Sequence, residues 1–171
     1  MNFLHVLFSF HGRINRAKYW LAALFWFVVD IVVFGILAGI LAKNIVALGS
    51  EPSGADIVRV ILSFGLGIIL VCLVVLVPMF VSWFAVGIKR LHDRDQSGWW
   101  ILLFYFGPAV ASGLAHNSDS GVSALVLSLV SLGISIWAFV VLACLRGTRG
   151  PNRYGPDPLG GNVGMVAPTQ A

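Results

Sequence analysis

The sequence predicts an all-α integral membrane protein, a four-transmembrane-helix bundle with both termini cytoplasmic. Three observations lead there. The 171 residues are 58% hydrophobic and 11% charged, against about 25% charge in an ordinary soluble domain. The apolar residues gather into four long runs, with a mean hydropathy of +0.93. The basic residues gather at one end of those runs. Composition excludes a soluble domain, and the same hydropathy excludes disorder. One compact bundle is expected: an N-terminal arm over 1–18, cytoplasmic or interfacial, a transmembrane domain over 19–145 and a cytoplasmic tail over 146–171.

The arm opens M-N-F-L-H-V-L-F-S-F-H-G and sets Phe3, Leu4, Leu7 and Phe8 at helical spacing. That pattern suits a short interfacial helix; the alternative is a frayed terminus. No positive charge precedes its apolar residues, so no cleavable signal is expected. A span needs about 20 mostly apolar residues. The first runs from about Tyr19 to Ala42 and is interrupted only by Asp30. The second, about Ile57 to Ile88, is too long for an upright helix and is expected to tilt or to enter the interface. The third, Trp99 to Ala115, is short and carries Pro108. The fourth runs from about Val122 to Leu145. Runs of this length exclude barrel strands.

Charge sets the orientation. Arg13, Arg16 and Lys18 precede the first span, Lys89, Arg90 and Arg94 follow the second, and Arg146, Arg149 and Arg153 follow the fourth. Lys and Arg are retained in the cytoplasm, so the termini and central loop are placed there. Trp20, Trp99 and Trp100 fall at the same boundary. The net charge of +4 is read as topogenic and lipid-facing, and no nucleic acid is expected as a partner. Cys72 and Cys144 lie within apolar spans, where a structural disulfide is not expected. Spans one and three enter with similar aromatic pairs, R-A-K-Y-W and S-G-W-W, a weak hint of a duplicated hairpin.

Three basic motifs carry most of the remaining information: F-H-G-R-I-N-R-A-K-Y-W at Phe10–Trp20, K-R-L-H-D-R-D-Q-S-G-W-W at Lys89–Trp100, and G-T-R-G-P-N-R-Y-G-P-D-P at Gly147–Pro158. In this order they resemble the opening, central and closing motifs of the domain of unknown function 805 family of small bacterial inner-membrane proteins. The likeness covers roughly Phe10 to Pro158. It implies a four-span inner-membrane protein and supplies no catalytic residues.

Read physically, Arg13, Arg16 and Tyr19 are spaced by three and would share a face if the helix began before the membrane. Ser97 and Gly98 are expected to form the turn into Trp99. All three motifs lie at one end of the bundle and are expected to touch. Three uses compete. Asp93, Asp95 and Asp157 can pair with neighbouring arginines as a fastening. The cluster Arg13, Arg16, Tyr19, Lys89, Arg90, His92, Asp93, Asn152, Arg153 and Tyr154 can instead form an anionic ligand site, its arginines gripping phosphate. Chemistry at His92 and Asp93 is the third, and it lacks a second ligand or nucleophile at useful spacing, so no catalytic residue, metal or cofactor is expected.

Asp30 sits halfway along the first span, where a carboxylate is expensive. It reads either as a proton or cation site or as an acid buried between helices, with Ser82, Ser128, Ser131 and Ser135 as candidate partners. Gly35 with Gly39, and Ser63 with Gly67, allow close helix approach; packing within the chain is the expected use and a homo-oligomer the alternative. The tail after about Pro158 reads as disordered. The expected function is non-enzymatic: binding of an anionic phospholipid headgroup or a membrane protein partner by the arginine-rich face. The alternative is a small transporter or proton-coupled channel using Asp30.

Overall fold

The computed structural model describes residues 2–47 and 53–160. Its order is α1 (Phe3–Phe8), α2 (Arg16–Ala47), α3 (Gly54–Val71), a π-helical turn (Cys72–Leu76), α4 (Val77–His92), α5 (Trp100–His116), α6 (Gly121–Phe139) and a second π-helical turn (Val140–Cys144). Among the described residues there is no strand. Three stretches are long and apolar enough to cross a membrane, Arg16–Asn44, Gly67–His92 and Gly121–Cys144, while Trp100–His116 is shorter at 17 residues.

Local chemistry sets the boundaries. Asn15 caps α2, its Oδ1 accepting the Lys18 N–H at 2.9 Å, so α2 begins at Arg16 and Arg13 lies outside it. The shared helical face expected for Arg13, Arg16 and Tyr19 therefore does not form. Ser53 and Asp56 make a capping box: Ser53 Oγ accepts the Asp56 N–H at 3.2 Å, and Asp56 Oδ2 accepts the Ser53 N–H at 3.3 Å. That box starts α3 at Gly54, three residues before the expected Ile57. Pro108 is accommodated inside α5, where its carbonyl accepts the Ser131 hydroxyl at 2.9 Å.

The chain divides into two compact units, one of residues 1–21 with 83–171 and one of residues 22–82. The first holds a core of Leu91, Ile101, Phe104, Ala138, Val141 and Leu142, with Tyr19, Phe84, Ile88 and Tyr105 packed against it. Gly87 permits the α4–α5 approach: a β-carbon there would meet Ile101 Cδ1 at 2.5 Å and the Tyr105 hydroxyl at 2.9 Å. Among the described residues of the second unit, the buried side chains are those of Ala22, Trp26 and Ser82. Its Trp26 indole donates to Ser82 Oγ at 2.9 Å. Gly35, Gly39 and Gly67 face open space, so the intrachain packing expected of them is not made among the described residues. The expected disordered tail lies outside the described residues from 161 onward, and Gly160 still closes a turn on the Asp157 carbonyl at 3.1 Å.

Candidate functional site

Helix C-termini leave carbonyls without intrahelical partners, and cations are favourable there. The first unit uses this three times at its basic end. The α4 terminus is capped by the closing motif: Thr148 donates its N–H to the Asp93 carbonyl at 2.8 Å, and Asn152 Nδ2 donates to the His92 carbonyl at 2.9 Å. At the end of the second π-helical turn, Arg90 Nε donates to the Leu142 carbonyl at 2.8 Å and Arg90 Nη2 to that of Leu145. Arg16 Nη1 adds a bond to the Cys144 carbonyl at 2.9 Å. The α1 terminus receives Lys89, whose ammonium donates to the carbonyls of His5 and Val6 at 2.9 and 2.5 Å.

Asp93 ties the first two of these caps together. Its carboxylate meets Arg13 at 3.1 Å through one oxygen and Arg90 Nη1 at 2.5 Å through the other. The two arginine side chains are 1% and 0% exposed. Arg13 spends its remaining N–H groups on the carbonyls of Gly150 (2.8 Å), Thr148 (2.7 Å) and Gly155 (3.2 Å). All three guanidinium nitrogens of both arginines thus point at protein acceptors. A buried charge is tolerated only when paired and hydrogen-bonded in this way.

The closing motif is shaped to reach those donors. Gly150 and Gly155 have φ of +78° and +136°, which favours residues without a β-carbon. Asn152 and Gly155 bond to each other's backbone at 3.1 and 3.0 Å. Asp157 accepts the N–H groups of Leu159 (2.9 Å) and Gly150 (3.0 Å), and those bonds hold its carboxyl below the usual carboxylate range.

Of the nominated residues, Lys89 caps α1 separately, and Arg13, Arg16, Arg90, Asp93 and Asn152 join this network. Tyr19 does not: it packs on the core and meets Trp83 edge-on, with centroids 6.4 Å apart. His92 and Tyr154 form a separate pair, stacked at 3.8 Å with planes 5° apart. Arg153 lies 4.9 Å over the Tyr154 ring and pairs with Asp95 at 3.1 Å on the surface. Asp95 itself has φ +57°, and the Ser97 carbonyl accepts the Trp100 N–H at 3.3 Å, so the turn into α5 forms at Ser97 and Gly98 as expected. Gly98 also allows close packing, since a β-carbon on it would press on Ile88 at 3.0 Å and His92 at 3.3 Å.

Sequence reasoning passed over Thr148, which bonds both to Asp93 and to Arg13. Its position inside the closing motif was the available signal. Asp30 is half-buried on α2, and the expected contact with Ser82, in the same unit, does not form among the described residues. Ser82 holds Trp26, Ser128 bonds back to the Ala124 carbonyl, Ser131 meets Ser112 at 2.8 Å, and Ser135 bonds to the Ser131 carbonyl. No group of three His, Cys, Asp or Glu side chains among the described residues could hold a metal ion.

The chain matches a family model described as "Protein of unknown function (DUF805)" over residues 7–156. It is 31% identical over 151 residues to inner membrane protein YhaH of Escherichia coli (strain K12), covering 88% of this chain and 87% of that one. It is 34% identical over 157 residues to uncharacterized protein YiiR of the same strain, covering 88% and 86%. With inner membrane protein YhaI it shares 29% identity over 154 residues, covering 90% and 89%. No solved structure matches the chain. The matched region takes in the first two motifs and the closing motif as far as Pro156, and the chain is a member of the DUF805 family of inner-membrane proteins.

Proposed function

We propose that this inner-membrane protein crosses the bilayer four times, keeps both termini cytoplasmic, and uses its basic end as a non-enzymatic binding surface for anionic phospholipid headgroups. The fourth span is α5. At 1.5 Å per residue its 17 residues reach about 25 Å, slightly under a typical hydrocarbon thickness. Trp99 and Trp100 at its start suit an interfacial anchor.

The observation that carries the reading is a division among the arginines. Arg13 and Arg90 are buried and committed to fastening. Arg16, Arg146, Arg149 and Arg153 are exposed on the same unit. Basic residues beside a membrane gain about 1 kcal/mol each from an anionic leaflet, so four of them suffice for a clear lipid preference.

The test is native mass spectrometry of protein taken from nanodiscs of phosphatidylglycerol or of phosphatidylcholine. Wild type should retain phosphatidylglycerol at least five-fold over phosphatidylcholine. Arg146→Gln combined with Arg149→Gln should lower that preference, and adding Arg16→Gln and Arg153→Gln should erase it, without lowering protein yield. Equal retention of the two lipids by wild type would sink the reading.

A second reading uses Asp30 as a proton or cation site. Its support is the half-buried carboxylate of Asp30 on α2, in a segment where an acid is costly. Asp30→Asn should then abolish a proton flux measured in vesicles while leaving phosphatidylglycerol retention intact.

A further inference from the structure

An open groove of 390 Å³ lies in the first unit, apart from the arginine network. Its volume falls in the range of about 300–1,000 Å³ usual for small-ligand sites. Phe84 and Ile88 of α4 form one wall, and Ile101 and Leu102 of α5 form another. Trp99 and Leu102 line it and are also exposed, at 78% and 40%, so the groove opens along the side of α5.

Its two ends differ. The helix walls are apolar and belong to segments that run into the bilayer. The remaining lining is His92, Ser97, Gly98 and Tyr154, and the Arg153 guanidinium stands 4.9 Å from the Tyr154 ring centroid. An occupant that fits both ends has a long apolar part and an anionic group, which is the chemistry of a phospholipid. A purely apolar ligand would leave the polar end unused, and a free phosphate would leave the apolar walls empty.

We propose that the groove seats one acyl chain of a phospholipid, with its phosphate held at the His92–Tyr154 end by Arg153. The headgroup half of this rests on the lipid reading given above; the chain half does not. Trp99 acts as the outer wall, where an indole suits the interface between hydrocarbon and headgroups. The His92–Tyr154 stack fixes the polar end, because Asn152 anchors the same loop to the His92 carbonyl.

The experiment is photolabelling of the full chain in vesicles, with phosphatidylglycerol carrying a diazirine in one acyl chain, beside the matching phosphatidylcholine probe. Labelled residues are mapped by peptide mass spectrometry. Label should concentrate on residues 84–88 and 99–102 at least five-fold above residues 21–36 of α2. Leu102→Trp fills the groove from an exposed position and should cut label at 84–88 at least five-fold. Trp99→Gln, a milder change, should cut it about three-fold. Arg153→Gln should lower labelling by both probes. Equal labelling by the two probes, still confined to the groove, would support the seat and contradict the anionic preference proposed above. Label spread evenly over apolar helix faces, or unchanged in both Leu102→Trp and Trp99→Gln, would overturn the seat.

Discussion

Gly147 lies directly against the Asp93 carboxylate, and a β-carbon built on Gly147 would fall on that group. The closing motif therefore begins with the one residue that lets the backbone pass beside a buried acid already gripped by Arg13 and Arg90. Gly147→Ala is expected to displace Asp93 and to cost about 1–3 kcal/mol, the usual range for overpacking. Thermal unfolding in detergent, compared with Gly113→Ala, checks this, because Gly113 faces open space.

Removing one partner from a buried ion pair costs far more than removing an exposed pair. Asp93→Asn leaves two buried guanidinium groups facing a neutral amide and should destabilise by about 3–5 kcal/mol. Arg153→Gln breaks the Arg153–Asp95 pair, whose side chains are 60% and 46% exposed, and the contact with the Tyr154 ring, and should change stability by about 0–2 kcal/mol. Unfolding midpoints of the two variants, measured side by side, separate the cases.

Lys89 is fully buried and, among the described residues, donates only to the α1 carbonyls of His5 and Val6. Charged hydrogen bonds of this kind contribute about 1.5–3 kcal/mol. Lys89→Met keeps most of the side-chain volume and removes the cap. Amide exchange in α1 should accelerate at least ten-fold, with little change in α5 and α6.

The Asp157 carboxyl is held below its usual range by the N–H groups of Leu159 and Gly150. Its contribution to the closing motif is fully present above about pH 4, the unfolded value, and is lost as pH falls through the lower folded value. Exchange at the Gly150 amide, corrected for intrinsic rates, should rise as pH drops below about 4. Asp157→Asn should flatten that dependence.

Much of this architecture was legible in the sequence because membranes impose simple rules. Uninterrupted apolar runs gave the helices, and the spacing of Arg13, Lys89, Arg90 and Asp93 near one end pointed to a polar cluster. What could not be read was who bonds to whom. Arg90 and Arg153 are both arginines beside motif aspartates, yet one is buried and the other exposed. That difference arises from tertiary packing, in which Arg90 reaches the end of the second π-helical turn. Local spacing carries no trace of a π turn, nor of the backbone carbonyls that absorb most of the arginine donors. The turn at Ser97 and Gly98 is legible from residue type, but the close packing of Gly98 against Ile88 and His92 is not.

The account turns on the closing motif being folded onto the α4 terminus around Asp93. Hydrogen exchange across residues 147–158, in wild type and in Arg13→Ala, tests that most directly. The Thr148 amide donates to the Asp93 carbonyl, and the Asn152 and Gly155 amides bond to each other's carbonyls. All three should exchange at least a hundred-fold slower than an unstructured peptide, and Arg13→Ala should remove most of that protection. Unprotected exchange throughout 147–158 in wild type would contradict the account.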